Sequence, residues 1–272
     1  MSTPLPLLLE PQTLAGRLGE AGLLVIDLGK AQVYQQAHIP GAIYLEPTRL
    51  KRNNAPAPGL LPSAEALAEL FSEIGLTPDT HVVACDDEGG GWAGRLLWVL
   101  ESIGHQHYSW LNGGIHAWLA EGLPSEAASQ TRPRSDYPLP TINAHTDITL
   151  EELRARLDDP TLAIWDARSE EEYSGVRAYA QKGGHIPGAI HYEWTEPMDR
   201  SHHLRIRPLE QVRAELAQRG LTADKEIITH CQTHHRSSYS WLVGRLLGLN
   251  IRAYAGSWSE WGNHPDTPVV KE

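Results

Sequence analysis

The stretch EIITHCQTHHRSSYSWLVGRLLG, residues 226–248, combines an apolar run, a short polar loop and a segment with helical periodicity. This order predicts a buried strand that ends at Cys231 and a helix that begins a few residues later. In open α/β sheets, ligands bind beyond the carboxyl ends of the strands. The stretch therefore predicts an α/β sheet and places Cys231 at its functional edge.

The residues around Cys231 favour a nucleophile over a packing residue. His234, His235 and Arg236 follow within five positions, and no acidic residue occurs between positions 226 and 260. Loop amides, a helix N-terminus and cationic side chains all stabilise a thiolate relative to a thiol. We therefore expect the pKa of the Cys231 thiol to be lowered. An inert core thiol is a weaker alternative.

The histidines next to Cys231 also suggest a zinc site, because thiolate and imidazole are the ligands that zinc prefers. His230, His234 and His235 would complete such a set with the cysteine. However, three of these four ligands would crowd one tight loop. We therefore expect no metal at this site.

The chain carries this pattern twice. HIPGAI occurs at 38–43 and again at 185–190. LTPDTHVVACDDEGGGWAGRLLWVLESIG at 76–104 corresponds to LTADKEIITHCQTHHRSSYSWLVGRLLG at 221–248. Repeated motifs in the same order indicate two copies of one domain.

The domain boundaries follow from this repeat. We predict a first domain over 1–124, a linker rich in proline and small polar residues over 125–146, and a second domain over 147–272. Within each half, short apolar runs alternate with helical patterns, which predicts a mostly parallel sheet with helices on both faces. Thr149, with Glu152 three residues later, has the spacing of a capping box at a helix start.

The first half provides an internal comparison for the second. Counting from LTPD and from LTAD pairs position 86 with position 231, so Asp86 stands in the place of the nucleophile. The following residues are acidic or glycine, which would repel an anionic donor and raise the pKa of a neighbouring thiol. Cys85 falls one position early, where a strand side chain points away from the loop. We predict that the first domain is catalytically inactive.

Composition excludes several classes of protein. The net charge of −11 argues against a broadly basic surface for nucleic acid. The apolar runs all fall short of the roughly 20 residues of a membrane-spanning helix. Only two cysteines occur among 272 residues, so we expect no disulfide framework and a reducing compartment such as the cytoplasm.

Three separated motifs resemble the signatures of the two-domain rhodaneses, a family of sulfurtransferases. They are the Asp…Tyr…HIPGA element, the cysteine loop between strand and helix, and the closing GSWSEWG. The loop CQTHHR is most similar to that of the Azotobacter-type bacterial members. The resemblance implies two tandem rhodanese-like α/β domains. It also implies transfer of a sulfane sulfur from a small anionic donor, such as thiosulfate, to a thiophilic acceptor such as cyanide. No metal or organic cofactor is expected.

The resemblance also suggests which residues bind the substrate. The persulfide-carrying cysteine of the family falls on Cys231, and a basic position falls on Arg168. Glu172 stands where many members have a second arginine, so the anionic end of the donor must find other partners. Trp194 follows the second HIPGAI at a distance that suits an aromatic wall of the pocket as well as core packing. The loop amides that surround the sulfur in the family fall on Gln232, Thr233, His234, His235 and Arg236.

Three other functions compete with thiosulfate sulfurtransferase. 3-Mercaptopyruvate is an alternative donor, and a protein partner is an alternative acceptor if the chain is a persulfide carrier. A protein tyrosine phosphatase also has a cysteine at a strand end and an arginine at the next helix. That class has five residues between cysteine and arginine, whereas four lie between Cys231 and Arg236. The shorter loop favours a single sulfur atom over a tetrahedral phosphate.

Overall fold

The computed structural model of the chain describes residues 4–271, which divide into two compact units. Each unit contains a short segment from the opposite half of the chain. Unit 1 comprises the chain up to Leu50 together with Pro62–Asn143 and Met198–Ile206. Unit 2 comprises Lys51–Leu61, Ala144–Pro197 and the chain from Arg207 onward.

The first half of the chain forms a parallel sheet with the strand order β1-β5-β4-β2-β3. Parallel neighbours require crossover connections, and helices supply them here. The elements are β1 (Leu8–Leu9), α1 (Pro11–Ala15), β2 (Leu23–Asp27), α2 (Ala31–Gln36), β3 (Ile43–Tyr44), α3 (Ala64–Glu73), β4 (His81–Cys85), α4 (Gly91–Ser102), β5 (Tyr108–Leu111) and α5 (Gly114–Ala120).

The second half repeats the core of this sheet as β11-β10-β6-β7, again with every neighbouring pair parallel. The predicted α/β class with parallel sheets is therefore confirmed. Its elements are α6 (Leu150–Ala155), β6 (Leu162–Asp166), α7 (Glu170–Ser174), β7 (Ala189–His191), α8 (Leu209–Gln218), β10 (Glu226–His230), α9 (Arg236–Leu246), β11 (Ile251–Ala253) and α10 (Ser257–Trp261). An antiparallel pair, β8 (Met198–Asp199) and β9 (Arg205–Ile206), belongs to unit 1.

The segment that was predicted as a linker packs on unit 1 for most of its length. The Ser135 amide donates to the Ser72 carbonyl at 2.9 Å, and the Tyr137 amide donates to Ser72 Oγ at 2.9 Å. Unit 1 extends to Asn143, and unit 2 continues from Ala144. The exact domain limits thus stay a prediction.

No helix within residues 4–271 is both long enough and apolar enough to cross a membrane.

Helix α6 starts at the capping box that the sequence predicted. Thr149 Oγ1 accepts from the Glu152 amide at 3.2 Å, and the Glu152 carboxylate accepts from the Thr149 amide at 3.0 Å. Leu150 and Leu153 of this helix are buried in the core of unit 2, beside Ile164 of β6. The cap therefore fixes the start of a helix whose apolar side closes that core.

We expect Thr149→Ala to lower the free energy of unfolding by about 1 kcal/mol, because one helix amide loses its acceptor. Urea denaturation followed by tryptophan fluorescence measures the change. Thr149→Ser retains the hydroxyl and serves as the control, with stability close to that of the parent chain. Equal stability of Thr149→Ala and the parent chain would contradict the role of the cap.

Candidate active site

Cys231 lies directly after β10, the strand that pairs with both β6 and β11. The loop continues to His235, and α9 begins at Arg236. The Cys231 side chain is only 1% exposed. The strand end, loop and helix start therefore occur where the sequence predicted them, with the thiol on the inner side of the loop.

The environment of Cys231 favours the thiolate despite the burial. Burial raises the pKa of the thiol, but the charge of Arg236 and three hydrogen bonds lower the pKa below its ordinary value. The donors are the Ser237 hydroxyl and the backbone amides of Ser237 and Thr233. The net effect is a lowered pKa, as expected from the sequence, which favours the thiolate form of Cys231.

The GSWSEWG segment, residues 256–262, holds the backbone of the Cys231 loop in place by hydrogen bonds. Ser257 Oγ accepts from the Cys231 amide at 3.4 Å and from the His234 amide at 3.1 Å, while it donates to the Tyr254 carbonyl at 2.9 Å. The Trp258 amide donates to the Cys231 carbonyl at 2.9 Å. The His234 amide, which was predicted to face the sulfur, therefore points to Ser257 instead.

Gly59, in the segment of the first half that belongs to unit 2, packs against the same loop. A Cβ atom at this position would clash with the carbonyl oxygens of Thr233 and Ala255. Only glycine permits this close approach of two backbone segments. The first half of the chain thus contributes to the support of the Cys231 loop.

Ser237 is a site residue that sequence reasoning missed. It is fully buried in the first turn of α9, and its hydroxyl lies 2.7 Å from His234 Nδ1. The available signal was its position, since amides and hydroxyls in the first turn of a helix point toward the loop that precedes it. The family's loop motif CQTHHR ends at Arg236, one residue before Ser237.

Arg236 does not face the sulfur alone, because it also pairs with Glu172. The two guanidinium nitrogens donate to the Glu172 carboxylate at 2.5 and 2.8 Å. Burial raises the pKa of Glu172, yet the hydrogen bond and charge of Arg236 hold it below its usual range. The Glu172 side chain is 5% exposed. Its carboxylate neutralises part of the positive charge of Arg236 that a donor anion would meet.

Arg168 lies inside the unit and is 1% exposed. Its guanidinium donates to Asp166 at 2.5 to 3.0 Å and to the Gly184 carbonyl at 2.8 Å, and it stacks over the Trp258 ring at 4.2 Å. These contacts engage Arg168 in support of the segment that clamps the loop. The contact with the donor, which the resemblance implied, stays a prediction.

The other predicted residues surround the outer side of the loop. Gln232, Thr233 and His235 are all partly exposed. Trp194 lies with its ring 6.1 Å from the ring of His235 and 6.3 Å from that of Tyr239. The indole therefore stands beside the loop, although its role as a pocket wall stays a prediction.

Unit 1 contains the same loop, with a carboxylate in the place of the sulfur. Strand pairing matches Cys85 to Asp27 in unit 1 and His230 to Asp166 in unit 2, so Asp86 is the structural counterpart of Cys231. Asp86 is 1% exposed, and its Oδ1 accepts from the amides of Glu88, Gly89 and Gly90 at 2.9 to 3.2 Å. Its Oδ2 accepts from the Ala93 amide at 2.9 Å. The loop of unit 1 thus directs several backbone donors at one buried carboxylate.

The electrostatics of the unit 1 loop do not suit a reactive thiol. Burial and the nearby charge of Glu88 raise the pKa of Asp86 to about 6. Cys85 is part of the apolar core of unit 1 rather than of the loop. Burial, together with the charges of Asp27 and Asp86, raises the pKa of the Cys85 thiol well above its ordinary value.

A metal ion finds no ready site in the part of the chain that the structure describes. No three His, Cys, Asp or Glu side chains within residues 4–271 are grouped so that they could hold one.

The fold and the two loops agree with a known family. The family model described as "Rhodanese-like domain" matches residues 10–121 and, separately, residues 149–264. The chain therefore belongs to the rhodanese family and contains two rhodanese-like domains, which confirms the repeat found in the sequence.

Individual relatives match nearly the whole chain. It is 50% identical over 266 residues to the thiosulfate sulfurtransferase of Pseudomonas aeruginosa, with 97% of both chains covered. It is 49% identical over 268 residues to the thiosulfate sulfurtransferase of Azotobacter vinelandii, again with 97% of both covered. A crystal structure of an anaerobic ergothioneine biosynthesis enzyme from Chlorobium limicola aligns with a TM-score of 0.85 at 23% identity. That alignment covers 97% of this chain and 70% of the other, and it concerns the fold alone.

We expect Arg236→Gln to raise the pKa of the Cys231 thiol, because the positive charge that lowers this pKa is lost and the buried Glu172 carboxylate loses its partner. The rate of alkylation by iodoacetamide as a function of pH measures the thiolate fraction, which should fall at pH 7. The Arg236→Gln/Glu172→Gln double variant removes both charges, and its midpoint should lie between those of the parent and the single variant. An unchanged or lower midpoint in Arg236→Gln would refute this account of the electrostatics.

We expect Asp86→Asn to leave kcat and KM within about twofold of the parent values, because the Asp86 carboxylate is held by the amides of its own loop and offers no nucleophile. Asparagine is isosteric and retains an oxygen acceptor for the loop amides. Steady-state turnover with thiosulfate measures the effect, and circular dichroism verifies the fold. A loss of turnover comparable with that of a Cys231 variant would show that the first loop takes part in the reaction.

Proposed function

We propose that this chain is a sulfurtransferase that moves the sulfane sulfur of thiosulfate to a thiophilic acceptor, such as cyanide, through a persulfide on Cys231. One observation carries the proposal. The buried Cys231 thiol has a lowered pKa because charge and hydrogen bonds outweigh its burial. The amide-held carboxylate of Asp86 in the matching loop is further support for an anion site.

The first half-reaction loads the cysteine. The Cys231 thiolate attacks the sulfane sulfur of thiosulfate, an S–S bond forms, and the S–S bond of the donor breaks. Sulfite leaves with the electron pair of the broken bond. A thiolate is required for this step because the protonated thiol is a poor nucleophile.

The second half-reaction returns the enzyme to its starting state. The acceptor attacks the outer sulfur of the persulfide, and the Cys231 thiolate is the leaving group. With cyanide the product is thiocyanate. A lowered pKa accelerates this step because a more acidic thiol leaves faster. Neither half-reaction requires a metal or an organic cofactor.

The donor anion has several candidate partners on the outer side of the loop. Arg236 offers the charge that Glu172 does not neutralise, and the partly exposed His235 and Trp194 stand beside it. The relatives from Pseudomonas and Azotobacter are named for thiosulfate, which favours thiosulfate over 3-mercaptopyruvate as the donor. Both cysteines are free thiols, which suits the reducing cytoplasm.

We expect thiosulfate treatment to increase the intact mass of the parent chain by one sulfur atom, and Cys231→Ala to abolish both the increase and the turnover. Cys85→Ala is the matched control, because Cys85 is equally buried but packs in the core of unit 1. This control should gain the sulfur normally. A sulfur adduct on Cys231→Ala would reject the proposal.

The same proteins separate the donor and acceptor alternatives. A higher kcat/KM with 3-mercaptopyruvate than with thiosulfate would reassign the donor. A stable persulfide together with negligible turnover to cyanide would reassign the chain as a carrier that passes sulfur to a protein partner.

A further inference from the structure

The buried side chains of His234 and Ser237 pair at the junction of the Cys231 loop and α9. His234 is 0% exposed, although it is a polar residue in the middle of a loop. Its Nδ1 lies 2.7 Å from Ser237 Oγ. The Ser237 hydroxyl is also one of the groups that lower the pKa of the Cys231 thiol, so it acts on both the imidazole nitrogen and the reacting atom.

The number of hydrogen atoms makes this arrangement directional. A serine hydroxyl has one hydrogen to donate and two lone pairs that accept. If the hydrogen pointed to His234 Nδ1, the sulfur would face only lone pairs of the oxygen, which repel a thiolate. If His234 Nδ1 carries a hydrogen and donates it to Ser237 Oγ, the hydroxyl hydrogen is left for the sulfur. An anion at Cys231 therefore selects the tautomer of His234 with hydrogen on Nδ1.

The backbone holds His234 in an unusual conformation that fixes its ring. Its φ angle is +50°, in the left-handed region that residues with a Cβ rarely adopt. The His234 amide donates to Ser257 Oγ at 3.1 Å, and its carbonyl accepts from Ser238 Oγ at 2.6 Å. Strain of this kind persists only where surrounding bonds over-determine the conformation, and it is concentrated at functional sites.

The charged groups near Cys231 do not supply all the stabilisation that its thiolate needs. Arg236 shares its charge between the sulfur and Glu172. His230 lies next to the loop, with Nδ1 3.3 Å from the Cys231 carbonyl, but burial lowers the pKa of its imidazole and so disfavours its charged form. A neutral hydroxyl of fixed orientation can stabilise the thiolate by a hydrogen bond. A carboxylate does not neutralise this contribution, as Glu172 does that of Arg236.

We propose that Ser237 is a catalytic residue whose hydroxyl donates to the Cys231 sulfur, and that His234, protonated on Nδ1, is a positioning residue that orients this hydroxyl. The proposal rests on the role of Cys231 as the sulfur-carrying nucleophile. It extends the site by one residue beyond the loop and gives the buried histidine a specific function.

The first test compares two serines of the same helix. Ser240 is also fully buried in α9, and its hydroxyl has no hydrogen-bond partner among residues 4–271. We expect Ser237→Ala to lower the rate of persulfide loading by thiosulfate at pH 7 by about tenfold, as for the loss of one hydrogen bond to a charged group. Its alkylation profile should shift to higher pH. Ser240→Ala should load sulfur and alkylate as the parent does.

The second test determines whether His234 acts through the Ser237 hydroxyl. Asparagine tolerates a positive φ and can present its amide hydrogen near the position of Nδ1, whereas leucine has no donor. We expect His234→Asn to retain most of the loading rate and His234→Leu to lower that rate to about the value for Ser237→Ala. The Ser237→Ala/His234→Leu double variant should be no slower than Ser237→Ala, because the histidine acts through the hydroxyl. If the two substitutions only perturbed the structure, their effects on the loading rate would add. The pH midpoint of the alkylation profile would then stay unchanged.

A measurement on the unaltered protein does not depend on how the variants fold. Proton–nitrogen correlation spectra of the histidine rings identify the tautomer of His234. We expect the hydrogen on Nδ1. A hydrogen only on Nε2 would overturn the proposal, and so would equal loading rates for Ser237→Ala and Ser240→Ala. Either result would leave the proposed function intact as long as Cys231→Ala still gains no sulfur.

Discussion

The burial of the Cys231 thiol is the constraint on which the rest of this site depends. Burial of the Cys231 sulfur opposes ionisation, so the protein must supply more stabilisation than water would have given. It does so with one cation and with donors from the backbone and from Ser237. The sulfur sits at the point where β10 ends and α9 begins, and this is the place where several donors can converge on one atom.

Convergence of this kind requires a rigid support behind the loop. Ser257 and Trp258 bind the backbone on both sides of the sulfur, and Arg168 stacks on the Trp258 ring. Asp166 pairs with Arg168 and completes the support. The GSWSEWG segment and the residues after β6 therefore hold the backbone of the Cys231 loop in place.

The two halves of the chain show that the same loop between strand and helix can surround different side chains. In unit 1 the loop amides bind the carboxylate of Asp86, and this group leaves no place for a reactive sulfur. In unit 2 the same strand, loop and helix carry a cysteine, and an arginine replaces the local acids. The fold supplies the donors in both cases, while the side chain at one position decides whether the loop has a reactive group.

The sequence alone determined the α/β class, the duplication, the capping box of α6 and the position of Cys231 between strand and helix. These features depend on periodicity and on spacing along the chain, which are local and survive any tertiary arrangement. The pairing of Asp86 with Cys231 also followed from counting, because both loops start from the same strand.

Only the tertiary structure decided which groups surround the sulfur. It turned the His234 amide toward Ser257, paired Arg236 with Glu172, placed Arg168 under Trp258 and brought the Ser237 hydroxyl to the thiol. The physical reason is that a hydrogen-bond donor satisfies the acceptor that packing brings within about 3 Å, whatever its distance along the chain. Ser257, 26 residues beyond Cys231, is such a partner, and no local pattern in the sequence announces it.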